Sequence, residues 1–461
     1  MSVAALPAYL GQDFKDASPG MRFGMYLAIW TSRADQENEV RKRAGKKSHE
    51  GQEVQRWLQR EGMDAAIAWL RQRTRNPLPG LWEKNDHGAR EAWTQIVPVT
   101  SADRRIMEAI AERQAAMAQC QRDCLSLPAC ATAPFTTGLG NEHPLENGFA
   151  FLWPYGLPYL PGSGVKGVLR QAARELADGR WGDTRGWDET LELAVRKNGR
   201  ETVTIDNWID LLFGLEGKDH QTEHFRGLLT FWDVVPEIKG NRLMVEIMTP
   251  HQKHYYQDGQ PPHDCGQPTP IQFLTVPPGS AFTFHVRCDA TRLARIAPDP
   301  AASDKWRALL RAAFEHAFEW LGFGAKTAVG YGAMAVDTAT LERHAEQLKA
   351  RAREEAENAS IAAATSNLPD DAKQLEQQRL KGQWKETNDF LQAAETFLDD
   401  AAAPSAEAIE RLMAGLEERW PGILANPDAT KGKKNKPKYK NRPRALARRL
   451  LEIRPNGMEA P

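Results

Sequence analysis

PYLPGSGVKGVLRQAAREL, residues 158–176, is where a tight turn hands over to a helix with two distinct faces. Val165, Leu169, Ala172 and Leu176, with Val168 beside them, recur at helical spacing and predict a helix from Val165 to about Ala177, with Ser163 as its N-cap. Lys166, Arg170 and Arg174 recur every four residues and form a basic stripe flanking the apolar face. Gly162 and Gly164 allow close approach of a backbone at the positive end of that helix, where free N–H groups and the macrodipole favour phosphate. The same residues also describe a capped helix with solvated charges, and the spacing leaves both readings open.

Around this helix the chain alternates short β-rich runs with glycine loops. A strand is expected at Ala133–Thr137, before GLGNEHPLENG at 138–148, with further strands at Gly227–Val235, Leu243–Met248, Ile271–Val276 and Ala281–Arg287. A second helix, from about Ser303 to Leu321, leads into GFGAKTAVGYG at 322–332 and a last strand at Ala333–Val336. Gly322, Gly324, Gly330 and Gly332 surround Lys326 and Tyr331, so exposed amides and one lysine suit a phosphodiester while Tyr331 suits base stacking. A glycine hinge packed on the sheet is the alternative. Neither stretch binds a nucleotide cofactor by pattern. GSGVKG lacks the gap and ending of a P-loop, and GFGAKTAVGYG follows a helix and precedes a strand, the reverse of a dinucleotide fingerprint. No cofactor is expected.

Two stretches read as loops, 179–224 and the segment HQKHYYQDGQPPHDCGQPTP at 251–270. In the latter, Lys253, Tyr255 and Tyr256 suit a single strand, through charge and stacking. Residues 1–130 read as mostly helical, with Trp57, Leu58, Ile67, Trp69 and Leu70 in one segment and Ile106, Ile110 and Met117 in another, and with loops at 71–101. Residues 338–461 read as a helical extension broken at Asn367-Leu368-Pro369 and carrying a basic segment at 431–449, where ten Lys or Arg stand without an acid. Such a segment attracts phosphate or is a solvated tail, and a helical extension of this kind also suits an assembly scaffold.

Composition sets the frame. The chain has 461 residues, 41% of them hydrophobic, which suffices for a substantial core, and 60 basic residues balance 61 acidic ones. No apolar run approaches the ~18 residues of a membrane span, and the start MSVAALPAYLGQDFKD lacks a secretory pattern, so a cytoplasmic protein is expected. Five cysteines argue against a disulfide framework, and the spacing of Cys120, Cys124 and Cys130 is unlike zinc-site pairing, so no metal is expected.

The order of strand, GLGN-type loop, YGLPYLPGSGVKGVLR helix, central strands and terminal GFGAKTAVGYG loop resembles the RAMP superfamily of CRISPR-associated proteins over residues 131–337. Within it, GLGNEHPLENGFAFLWPYGLPYLPGSGVKG is most similar to the type III-B Cmr effector subunit that caps the guide RNA 3′ end. The resemblance implies an α+β, modified ferredoxin-like (RRM-like) domain between added N- and C-terminal helical regions. It also implies partners: the guide RNA, target RNA, backbone RAMP subunits and a small helical subunit. Carried over residue by residue, Gly162, Ser163, Gly164 and Lys166 lie beside the guide RNA, and Gly322, Gly324, Lys326, Gly330 and Tyr331 match the glycine-rich loop. Asp233, in FWDVVP, stands where an acidic residue closes a strand and is read as structural. Cleavage by such a protein needs a proton-moving histidine or a metal-holding aspartate. His143, His251, His254 and Asp258 are available, yet no spacing selects any of them. A non-catalytic RNA-binding subunit is therefore expected, with a RAMP endoribonuclease that processes guide precursor or cuts target RNA as the alternative.

Overall fold

The computed structural model describes residues 2–197, 201–215, 224–263, 265–266, 268–298, 304–401, 403–431 and 436–454. The chain forms two compact units, Met1–Leu341 and Glu342–Pro461.

At the heart of the first unit is a four-stranded antiparallel sheet. Its strands are β1 (Cys124–Ala131), β2 (Leu229–Phe231), β5 (Ala281–Cys288) and β6 (Met334–Val336), in the spatial order β6-β1-β5-β2. A helix, α1 (Gly162–Ala177), lies in sequence between β1 and β2, and another, α2 (Lys305–His316), between β5 and β6. This is a βαββαβ order with the last strand beside the first, the ferredoxin-like arrangement. A separate hairpin of β3 (Met244–Met248) and β4 (Ile271–Thr275) stands between β2 and β5 in the chain.

Alternation explains the sheet. On β5, Phe282, Phe284, Val286 and Cys288 are buried at every second position, and on β1 Leu125, Leu127, Ala129 and Ala131 are. Phe314 of α2 meets Phe284 edge-on with ring centroids 5.2 Å apart. Val165, Leu169, Ala172, Ala173 and Leu176 turn the apolar face of α1 inward, as their spacing predicts. Each large side chain so buried contributes roughly 1.5–3 kcal/mol.

Several boundaries differ from expectation. The first core strand is Cys124–Ala131 rather than 133–137, where Phe135 makes only an isolated bridge to Val276. Pro128 is tolerated in β1 because its ring nitrogen points toward the end of β6, one residue past the last paired position Ala129–Val336, where its carbonyl still accepts the Asp337 N–H. Residues 71–101 are not all loop, since Asn85 caps a helix at Asp86–Ile96. Gly88 serves that helix by close packing, because a Cβ there would lie 2.2 Å from Ser2 Oγ. Residues 179–224 also hold structure, a hairpin of Thr190–Lys197 with Glu201–Asn207 and a helix at Trp208–Phe213; residues 216–223 lie outside the described ones. Burial of Trp187, Ile205, Trp208, Leu211 and Phe213 ties this insertion to the core.

The second unit packs helices Asp370–Leu380, Thr387–Asp400, Ala406–Arg419 and Asn441–Glu452 around Leu375, Phe390, Leu412, Leu416, Leu446 and Leu450. The basic segment is thus partly a structural helix. Arg442 pairs with Glu395, Arg444 and Arg448 with Asp428, and Arg449 with Asp399, so its arginines are engaged within the unit. Residues 432–435 of that segment lie outside the described ones.

Candidate nucleic-acid interface

The start of α1 is built by internal contacts. Pro161, not Ser163, is the N-cap residue, and the Ser163 side chain is exposed and makes no cap. A Cβ on Gly162 would lie 2.3 Å from the carbonyl oxygen of Phe231, so glycine is required here by the approach of β2. The Gly162 N–H donates to Asp233 Oδ1 at 2.7 Å. A carboxylate of the protein thus already occupies the place at the helix terminus that a phosphate would take at this amide. Gly164 donates its N–H back to the Pro161 carbonyl. The basic stripe divides: Arg170 donates to the Gly214 carbonyl at 3.0 Å, whereas Lys166 and Arg174 have no ion-pair partner among the described residues.

The glycine-rich loop closes on itself. Gly322, Gly324, Gly330 and Gly332 all have positive φ, as does Lys326 at 60°. The amides of Gly322, Phe323, Ala325, Val329, Gly330, Tyr331 and Gly332 donate to carbonyls of the protein. Seven of the loop's eleven amides are therefore committed within the protein, and the side chains of Lys326 and Tyr331 add to what the loop offers a ligand. Lys326 Nζ lies 3.2 Å from Met248 Sδ and 5.1 Å from the centroid of the Phe273 ring. Tyr331 meets the same ring edge-on at 5.6 Å. Burial, then the charge of Glu246 and a hydrogen bond to it, push the Tyr331 phenol up, so it stays protonated at neutral pH.

Met248, Glu246 and Phe273 belong to the β3–β4 hairpin, whose connection is the aromatic stretch after Thr249. That connection contains a short helix, Lys253–Asp258, with no buried residue. Tyr256 is 80% exposed and Tyr255 46%, with rings 5.1 Å apart, and Lys253 is exposed beside them. The fold thus brings Lys326 and Tyr331 onto the hairpin that carries Lys253 and Tyr256, while Lys166 sits on a different element. Glu246, Met248 and Phe273 were not sequence candidates. Their only signal was strand alternation, which puts Glu246 and Met248 on one face of β3.

Among the histidines, His143 is accounted for structurally. Its ring stacks on Phe23 at 3.7 Å, Nε2 donates to the Phe23 carbonyl at 2.8 Å, and Nδ1 accepts the Leu145 N–H at 3.1 Å. Both nitrogens are used by one neutral tautomer, which leaves neither free to move a proton. Burial holds its pKa below the ordinary 6.5. The folded state therefore resists a proton the unfolded chain accepts; this stability is complete above pH 6.5 and is lost as pH falls below it toward the folded value. His143→Gln should show a smaller drop in Tm between pH 7.5 and 5.5 than the parent; equal drops would refute the linkage. His254 and His263 stack at 3.8 Å in the exposed connection. Cys124 and Cys130 lie six residues apart on β1, roughly 20 Å along a strand, too far to share one ion. Among the described residues no three His, Cys, Asp or Glu side chains gather as a metal site, and no helix is long and apolar enough to cross a membrane.

Residues 131–335 match the family model of the RAMP superfamily, and this segment is a RAMP superfamily domain. The chain is similar to CRISPR system Cmr subunit Cmr6 of Pyrococcus furiosus, 29% identical over 232 residues that make up 42% of this chain and 63% of that relative. It thus spans less than two thirds of the length of that curated relative. Two solved structures are also similar. One is the crystal structure of Cmr6 from Pyrococcus furiosus, at 26% identity and a TM-score of 0.25, covering 46% of this chain and 97% of that one. The other is the cryo-EM structure of the type III-B Cmr-beta bound to cognate target RNA, at 16% identity and a TM-score of 0.35, covering 54% of this chain and 70% of that one.

Proposed function

We propose that this chain is a non-catalytic RNA-binding subunit of a cytoplasmic type III CRISPR effector ribonucleoprotein, contacting the guide RNA near its 3′ end, with target RNA and other effector subunits as further partners. In this reading residues 131–337 meet the RNA. The sequence likeness to a Cmr subunit supports the class of assembly. The observation that carries RNA contact is the hairpin that gathers Lys326 and Tyr331 against Phe273 and bears exposed Lys253, Tyr255 and Tyr256 on its connection. Cations beside exposed rings suit a single strand, with stacking worth roughly 1–3 kcal/mol per base.

The test is fluorescence anisotropy with labelled guide-type RNAs of several sequences, at a series of salt concentrations. Lys166→Ala and Lys326→Ala should each weaken binding to every sequence alike and reduce the salt slope by about 1. Tyr256→Ala should weaken it about tenfold with the slope unchanged, within the stacking range given above. Affinity and slope unchanged in all three variants would overturn the reading. The same RNA should remain intact with and without Mg²⁺; products that vanish in His254→Ala would favour an endoribonuclease instead.

A further inference from the structure

The outer edge of the core sheet offers a second surface, separate from the RNA candidates. β6 is an edge strand, paired with β1 alone among the described residues. The Thr132 N–H donates to the Ala333 carbonyl and the Asp337 N–H to the Pro128 carbonyl, so residues 333, 335 and 337 face β1. Met334 and Val336, between them, therefore aim their N–H and C=O groups away from the sheet. The edge reads Met-Ala-Val and carries none of the lysines or prolines that protect exposed edges.

Against this edge runs a cleft of about 690 Å³. Trp181 and Trp320 stand in its wall, 49% and 56% exposed, with ring centroids 4.9 Å apart and planes at 49°. Such large exposed aromatic area is unusual away from a binding surface. The lining is acidic on balance. Asp183, Glu315 and Glu319 are exposed there, and Arg185, which pairs with Glu315, is the one arginine or lysine lining it among the described residues. His316, at the base, is held by Glu175 at 2.8 Å. An acidic cleft repels a phosphate backbone, while two tilted indole faces above carboxylates attract an ammonium or guanidinium group.

We propose that this edge and cleft receive an extended segment of a partner protein bearing lysine or arginine at alternate positions. The segment adds a strand to β6 through Met334 and Val336, and its inward basic side chains lie over Trp181 and Trp320 against Glu319. Main-chain pairing supplies affinity in this mode, and the alternate side chains supply selectivity.

The probe is a labelled peptide, acetyl-Thr-Lys-Val-Lys-Val-Thr-amide, titrated into the full chain by anisotropy, beside a version with Glu for Lys and an oligouridine RNA. Saturable binding of the lysine peptide alone, weakened at least tenfold by Val336→Pro, is expected. Val336 gives no N–H to β1, so proline there leaves the sheet's own pairing intact while blocking an added strand. Trp320→Ala and Glu319→Lys, both at exposed positions, should weaken it similarly and keep the parent Tm. Equal binding of the glutamate peptide, binding unmoved by these variants, no binding of the lysine peptide, or displacement by oligouridine would each overturn the proposal. The guide-RNA reading stands or falls on other residues.

Discussion

Alanine at Gly332 is expected to destabilise the first unit by more than about 4 kcal/mol, at the far end of what single substitutions do, whereas alanine at Gly330 costs only about 1–2. Both glycines have left-handed φ, 72° and 91°, so the backbone penalty is shared. The difference lies in what a Cβ meets. At Gly332 it would lie 1.8 Å from the Phe323 carbonyl oxygen and about 3 Å from the carbon and nitrogen of the same residue, all backbone atoms that cannot swing aside. At Gly330 nothing among the described residues lies within 4 Å. Urea unfolding of the two variants gives the comparison directly from their midpoints at unchanged slope. Similar midpoints would mean the Phe323–Gly332 closure is not what these glycines serve.

That contrast bears on how function is read from this loop. Glycines near a lysine suggest a backbone approached by a ligand, but here three of the four are approached by the protein. Gly322 lies near the carbonyls of Tyr331 and Gly332, Gly324 against Thr136 and Gly332 against Phe323. The sequence pattern is the same in either case, because a residue without a Cβ records only that something comes close. Gly162 repeats the lesson, with Phe231 as the close neighbour and Asp233 as the anion.

The legible parts were those whose cause is local. Apolar spacing marked α1 to within three residues, and aromatic or β-branched enrichment marked β3, β4 and β5. β1 escaped because CLSLPACA has no β-branched residue and a central proline; it is a strand because β5 and β6 flank it. The hairpin within 179–224 was missed although Thr202, Val203, Thr204 and Ile205 are four β-branched residues in a row, because the glycines, tryptophans and charges of the insertion around it masked that signal. Lys326 and Tyr331 were visible as chemistry, yet their meeting with Met248 and Phe273 spans more than fifty residues of chain, and no local pattern reports it.

Phe323→Ala should combine the two largest effects, on stability and on the candidate interface. The ring is fully buried among Phe284, Phe318 and Phe314, with centroids at 4.9, 5.6 and 6.4 Å, so its removal leaves a cavity worth about 3–5 kcal/mol. Its backbone N–H also donates to Gly332, which makes Phe323 the anchor of the loop that carries Lys326. Slackening that anchor adds an ordering cost to binding, so RNA affinity should fall roughly threefold to tenfold even at temperatures where the unit stays folded. Phe390→Ala is the matched control: its ring is as deeply buried, but in the core of the second unit. Thermal unfolding and anisotropy on both variants separate the cases. Equal affinity for RNA in the two would detach the glycine-rich loop from binding, since only the Phe323 cavity belongs to the unit that carries the loop.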